Sequence, residues 1–242
     1  MNKNKEIEEL LDACSSYDLQ KVKKLVESGI NVNEAGHSNR RAICAGGKGN
    51  QQIEIAEYLL SKGADVNAPC YEGNSALSLT AYECDSVYLK WLLDNGADPH
   101  WKSTDTGETA LHTATVKGRS PESTACVKLL LAAGIDPNTQ NIPNIPTGAF
   151  WRDVMTSGET PLHFAVSYGS EEMIILLLES GADPSIKDIH GKSPLAKFSL
   201  FQRDLTTPTS PVDLSIMCRL AYTEDLKKSV SYWNKKNNIT HI

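Results

Sequence analysis

The side chains best suited to chemistry in this chain are two histidines, six cysteines and one glycine-rich turn that carries a lysine. His112 and His163 stand in matching tetrapeptides, Thr109-Ala110-Leu111-His112 and Thr160-Pro161-Leu162-His163. A histidine can serve as a general base, but it needs a nucleophile positioned against it. No nucleophile recurs at matching spacing from the two. Gly46-Gly47-Lys48-Gly49 has the look of a phosphate loop. It lacks the Gly-x-x-x-x-Gly-Lys-Ser/Thr form and no strand precedes it, so a flexible turn between helices is expected. The cysteines lie at 14, 44, 70, 84, 126 and 218. None forms a Cys-x-x-Cys pair, and no histidine lies at zinc-finger spacing from one. Cys14, Cys44, Cys84, Cys126 and Cys218 sit in apolar, helix-like stretches and are expected to be small buried hydrophobes in a reducing compartment. No catalytic residue, metal ligand or cofactor is expected.

Composition narrows the class further. The 242 residues suffice for one or two compact domains or one elongated array, and 40% hydrophobic with 22% charged residues is ordinary for a folded chain. A net charge of −6 argues against nucleic-acid binding, which draws on clustered basic surface. The longest apolar run, Met173 to Leu178, is far short of a membrane span, which needs roughly 20 residues. Met1 to Leu10 is charged and lacks the apolar core of a signal peptide, so a cytoplasmic location is expected, with delivery into a host cell if the source is a microbe. For the same reason the glycosylation triplet Asn238-Ile239-Thr240 is expected to go unused.

The elements that position these residues are set by repeated punctuation. A glycine, a small or apolar residue and then Asp or Asn recur at Gly29-Ile30-Asn31, Gly63-Ala64-Asp65, Gly96-Ala97-Asp98, Gly134-Ile135-Asp136 and Gly181-Ala182-Asp183. The spacings are 34, 33, 38 and 47. The histidine tetrapeptides have weaker copies at Ser75-Ala76-Leu77-Ser78 and Ser193-Pro194-Leu195-Ala196. Thr160 can cap a helix and Pro161 suits its first position. Leu162, Ala165 and Val166 then form an i, i+3, i+4 stripe. Met173 to Leu178 makes a second helix, and Gly181 closes it where a left-handed residue costs least. With these motifs and a period near 33, the chain over residues 5–222 resembles the ankyrin-repeat family.

That resemblance implies an all-α solenoid of about six helix-turn-helix units with connecting β-hairpin loops. The boundaries expected are an N-terminal capping repeat at 1–34, four repeats over 35–188, a C-terminal capping repeat at 189–222 and a basic tail or short helix at 223–242. It also makes His112 and His163 structural, bonded to backbone near the hairpins. Asn67, which follows Asp65-Val66 with Leu59 upstream, resembles the setting in which ankyrin asparagines are hydroxylated, although the turn needs the same residues.

Three departures from the repeat stand out. The second unit has no Thr-Pro-Leu-His around Arg40-Arg41-Ala42-Ile43-Cys44, so its first helix should be short or frayed, whereas Ile53 to Leu60 makes a good second helix. The fourth unit gains about four residues near Gly118 to Glu122. Ser120 as cap and Pro121 at the first position there predict a lengthened outer helix. A 14-residue insertion lies within residues 139–157, since Gly134 to Gly158 spans 24 positions and Gly63 to Gly73 spans 10. Pro143 and Pro146 favour extended chain there. Its apolar residues either pack back as a flap or present Phe150, Trp151 and Arg152 as a contact site.

Partners of the family usually meet the hairpin tips and the exposed side of the inner helices. Carried over by position, this implies Tyr71, Glu72, Asn74, Glu108 and His190 at the tips, Trp101 just before one, and Tyr82, Glu83, Lys117 and Tyr168 on inner helices. With Phe150, Trp151 and Arg152 they make one candidate binding face. The function expected is a non-catalytic protein-protein interaction module that acts as adaptor, inhibitor or effector on a protein partner, monomeric and engaging neither nucleic acid nor membrane. The alternatives are a self-associating scaffold and, least favoured, an enzyme within an insertion that lacks His, Cys and Glu.

Overall fold

The computed structural model describes residues 3–45, 49–118, 120–147, 154–194 and 196. The glycine-lysine turn at 46–48, the insertion tip with Phe150, Trp151 and Arg152, and everything from 197 onward, including Cys218 and the tail, lie outside the described residues. Helices α1 (Lys3–Ser15) and α2 (Leu19–Glu27) form the first pair. The second unit contributes α3 (Asn50–Ser61), and the third α4 (Ala76–Glu83) and α5 (Ser86–Asp94). The fourth contributes α6 (Ala110–Val116) and α7 (Pro121–Ala132), and the fifth α8 (Pro161–Tyr168) and α9 (Glu171–Glu179).

The helices pack in two rows. α4, α6 and α8 touch in sequence along an inner row, and α2, α3, α5, α7 and α9 touch in sequence along an outer one. Each pair buries only part of its apolar surface internally, so the core runs between units. Leu77, Leu89, Leu92, Leu111, Leu130, Leu162, Met173 and Leu177 form its main cluster, and Ile7, Leu10, Leu11, Val22, Ile55 and Leu59 a second one at the N-terminal end. No helix among the described residues is long and apolar enough to cross a membrane.

Local signals in the sequence account for most helix ends. Asp18, Ser75, Asp85, Ser120 and Ser170 each accept a backbone N–H in the first turn of the following helix. α7 is 12 residues long and starts on Ser120-Pro121, as the cap signals imply. The five closing glycines, Gly29, Gly63, Gly96, Gly134 and Gly181, all have φ between 84° and 102°, where a side chain would be strained. Gly118 and Gly169 serve differently. They end the inner helices of adjacent units, and a Cβ on Gly118 would lie 2.6 Å from the Gly169 Cα. The two turns approach closely because neither has a side chain.

The second unit departs from a helix pair. Its hairpin tip is a 3-10 turn, His37–Asn39, equivalent to Tyr71–Gly73 of the third unit, and in place of an inner helix it has a second one, Ala42–Cys44. The second turn touches both α1 and α4, so it fills the inner-row position between them. No side chain caps either turn, and the glycines that follow favour loop over helix. Arg41 bridges instead: its Nε donates to the Pro69 carbonyl at 2.8 Å, and its guanidinium also donates to the Asn33 carbonyl. The expectation that Cys44 is a thiol is corrected here, because Cys44 and Cys70 form a disulfide with Cα atoms 6.5 Å apart. Both lie in turns rather than helices, so the packing of one unit's turn on the next hairpin brings them together. Cys14 and Cys126 are buried thiols, as expected, and burial pushes each up to about 12. Cys84 is half-buried and also carries no disulfide.

The insertion starts and ends as an antiparallel ribbon, β1 (Pro146–Thr147) against β2 (Val154–Met155), with Pro146 opposite Met155. Extended chain is what its prolines favour. Thr156 ties the neck, accepting from the Ile145 N–H at 3.0 Å and donating to the Ile142 carbonyl.

An asparagine ladder joins the units at the opposite end of the hairpins. Asn33 donates to the Gly63 carbonyl and accepts from the Asp65 N–H, at 2.7 and 2.8 Å. Asn67 repeats this with Gly96 and Asp98, and Asn138 with Gly181 and Asp183. Position 100, the corresponding residue of the third unit, is histidine, and it makes neither bond.

Candidate partner-binding face

The inner helices are short and the hairpins between them are held rigidly. In the fourth unit the Thr109 N–H meets His112 Nδ1 at 3.1 Å, so the ring proton resides on Nε2 and donates to the Glu159 carbonyl at 3.0 Å. In the fifth, the Thr160 N–H meets His163 Nδ1 at 3.1 Å and Nε2 donates to the Lys192 carbonyl at 3.1 Å. Each histidine thus closes a capping box on its own helix and fixes the hairpin of the next unit. Both are fully buried. Their side chains serve architecture, which removes the two residues that first suggested acid-base chemistry.

The hairpin tips stack through backbone bonds. The Thr104 N–H donates to the Gly73 carbonyl, Ile142 to Thr106, and Ile189 to Ser157. This brings Tyr71, Ile142 and Ile189 to comparable places on the tips of the third, fifth and sixth units, with Thr104 at that place on the fourth. Tyr71 is 40% exposed, Ile142 45% and Ile189 48%. Met155, on the insertion ribbon, is 52% exposed. A hydrogen bond to Glu72, and then the Glu72 charge, push the Tyr71 phenol above its ordinary value. His190, next to Ile189, is exposed, with its backbone N–H fixed by Asp188 at 2.9 Å.

The inner helices carry a second group. Lys117 Nζ lies 4.0 Å from the centre of the Tyr82 ring and 3.5 Å from Glu83 Oε2. The three therefore act as one patch across the third and fourth units, with Tyr82 buried beneath the ammonium. Tyr168 ends α8 and is 37% exposed, its ring 6.3 Å from that of Phe164. Phe164 in turn packs edge-on against His112 at 5.3 Å. The exposed tyrosine is thereby braced by the buried histidine network.

The sequence-derived residues fall into three groups. Tyr71, Glu72, Glu83, Lys117, Tyr168 and His190 are exposed or half-buried on this face. Asn74 and Glu108 are corrected: both are buried and work inward. Asn74 donates to the Tyr71 carbonyl at 3.2 Å, and Glu108 accepts from Asn141 at 3.3 Å. Trp101 is half-buried, and its indole N–H donates to the Gly73 carbonyl at 3.0 Å, so it supports the tip of its own unit rather than standing clear of it. Tyr82 reaches the surface mainly through Lys117. Ile142 and Met155, apolar residues of the insertion, and Ile189, a tip residue by repeat position, are exposed on the same face. Aligning Cys70-Tyr71, Asn141-Ile142 and Asp188-Ile189 as equivalent tip pairs exposes the first and last of them.

Comparison with known proteins agrees with the geometry. The family model for ankyrin repeats in three copies matches residues 10–102, 42–141 and 89–188. A nuclear factor NF-kappa-B subunit of Gallus gallus is 34% identical over 148 residues, 60% of this chain and 13% of that protein. An ankyrin repeat protein of fowlpox virus is 26% identical over 212 residues, 88% of this chain and 39% of that one. The chain therefore spans well under half the length of either. A crystal structure of an ankyrin repeat domain from Acinetobacter baumannii superposes with a TM-score of 0.63 at 23% identity, covering 87% of this chain and 95% of that one.

Proposed function

Because this chain belongs to the ankyrin-repeat family, we propose that it is a non-catalytic module that binds a protein partner through its hairpin tips and inner helices. The observation that carries the reading is the exposure of Tyr71 and Tyr168 on a scaffold whose hairpin tips and helix caps are held by hydrogen bonds between units. A tyrosine fixed in this way supplies broad contact area with little ordering cost on binding. Ile142, Met155 and Ile189 extend the same surface, and the Glu83–Lys117 pair over Tyr82 gives it a polar centre. Phe150, Trp151 and Arg152 belong to this proposed surface by position in the insertion. Exposed apolar side chains flanked by charge suit a folded protein or peptide better than phosphate backbone, and the net charge of −6 points the same way.

The test is capture by the full chain from source-cell and host-cell lysates, compared with a Tyr71→Ala/Tyr168→Ala variant. Both substitutions are at the surface, so folding is retained and circular dichroism checks it. The partner's affinity is expected to drop by about tenfold or more. Equal capture by the variant refutes the proposed surface.

A further inference from the structure

We propose that Cys44 and Cys70 are a reversible redox pair that staples the second unit to the third. The bond joins the 3-10 turn Ala42–Cys44 to the start of the turn Tyr71–Gly73, at a sequence separation of 26. Among the described inner-row elements, the second unit is the one with no α-helix to pack on its neighbour. The neighbouring bonds are few and specific. Arg41 donates to the Pro69 carbonyl, Asn39 Nδ2 donates to the Pro69 and Cys70 carbonyls at 3.2 and 3.1 Å, and the Tyr88 hydroxyl donates to the Ile43 carbonyl at 3.2 Å. These bonds hold the joint with or without the staple, so the reduced chain stays folded while its joint opens more readily. The reduced state also has a place for the buried sulfur: Cys70 Sγ lies 3.4 Å from the Ala68 carbonyl, to which a thiol can donate.

Burial sets the order of the reaction. Cys44 is half-buried and Cys70 is fully buried. A small-molecule disulfide such as glutathione disulfide therefore meets Cys44 first. The Cys44 thiolate attacks one of its sulfurs, forming a mixed disulfide and releasing one glutathione thiolate. The Cys70 thiolate then attacks Cys44 Sγ and releases the second. Two electrons and two protons pass from the cysteine pair to glutathione disulfide, which becomes two glutathione thiols. Reduction runs in reverse, by thiolate attack on the accessible Cys44 sulfur. Cys14 and Cys126 take no part, because burial holds them as thiols well above neutral pH.

The test uses the full chain equilibrated in glutathione buffers of graded oxidised-to-reduced ratio, quenched with acid and alkylated. Peptide mapping should find a Cys44–Cys70 linked peptide that grows with the ratio, while Cys14 and Cys126 remain thiols. Hydrogen exchange of residues 37–45 and 69–75 should slow by about tenfold or more on oxidation, as expected when a cross-link restricts local opening. A Cys70→Ser variant should exchange like the reduced protein in every buffer. The comparison of oxidised with reduced wild type stands by itself if that variant does not fold. Alkylation of both cysteines at all ratios, pairing of either with a different cysteine, or a linked peptide without slower exchange each overturns the proposal.

Discussion

Replacing His100 by Asn should stabilise the protein, because it completes the asparagine ladder where the third unit interrupts it. The backbone at position 100 is already set for the substitution. The N–H of His100 bonds Asp98 Oδ1 at 2.8 Å, and those of Asn67 and Asn138 bond Asp65 and Asp136 in the same way at 2.8 and 2.9 Å. An asparagine amide at 100 should therefore reach the Gly134 carbonyl and the Asp136 N–H. The extra residues of the fourth unit are no obstacle, since Asn138 bridges to Gly181 across 43 residues. Each ladder asparagine gains two hydrogen bonds, and a typical net value is about 1 kcal/mol apiece. The ladder is partly exposed, which lowers that figure, so the expected gain is about 1 kcal/mol in total. Urea unfolding followed by circular dichroism measures it as a higher midpoint at unchanged slope. A midpoint that stays or falls shows that the ladder does not carry the inter-repeat stability assigned to it.

Other perturbations probe separate parts of the structure. Leu162→Ala removes a fully buried side chain from the core between units and should cost about 2–5 kcal/mol in a denaturant titration. Asp85 accepts the N–H groups of Val87, Tyr88 and Gly49, at 3.1, 3.0 and 2.6 Å, so it caps α5 and also anchors the residue before α3. Asp85→Ala should cost about 2 kcal/mol and loosen residues 49–53 in hydrogen exchange. Gly118→Ala forces apart the turns of the fourth and fifth units and should lower the thermal midpoint measurably, at a cost of about 1–3 kcal/mol. With Cys14 and Cys126 pushed up to about 12, the unfolded chain releases their protons at lower pH than the folded one. Stability therefore falls as pH rises from the ordinary thiol value toward 12, and Cys14→Ala/Cys126→Ala should flatten that alkaline slope in urea titrations.

The repeat architecture was legible because its signals are local. A closing glycine needs only its own backbone, and a Thr-x-x-His box needs only one helical turn. Gly29 through Gly181 and the helix starts at Thr109 and Thr160 therefore followed from spacing, and the structural role of His112 and His163 from the family resemblance. The second unit was half legible. The absence of a cap foretold a weak first helix, but Arg41 and the Cys44–Cys70 bond depend on which loop meets which in three dimensions. The binding face divides in the same way. Tyr71 and Tyr168 sit where repeat position puts them, outward. Asn74 turns in to bond its own hairpin, and Glu108 turns in to meet Asn141 of the next hairpin, an encounter separated by 33 residues. Ile142 became visible as a tip residue only once the insertion was seen to leave the hairpin after it.

The central claim is that a protein partner is met by the tips and inner helices. Hydrogen exchange of the chain with and without its captured partner tests it most directly. Binding should protect residues 71–73, 116–118, 167–169 and 189–191 and leave the outer helices α5, α7 and α9 unchanged. Protection confined to the outer helices, with the tips unaffected, contradicts the account.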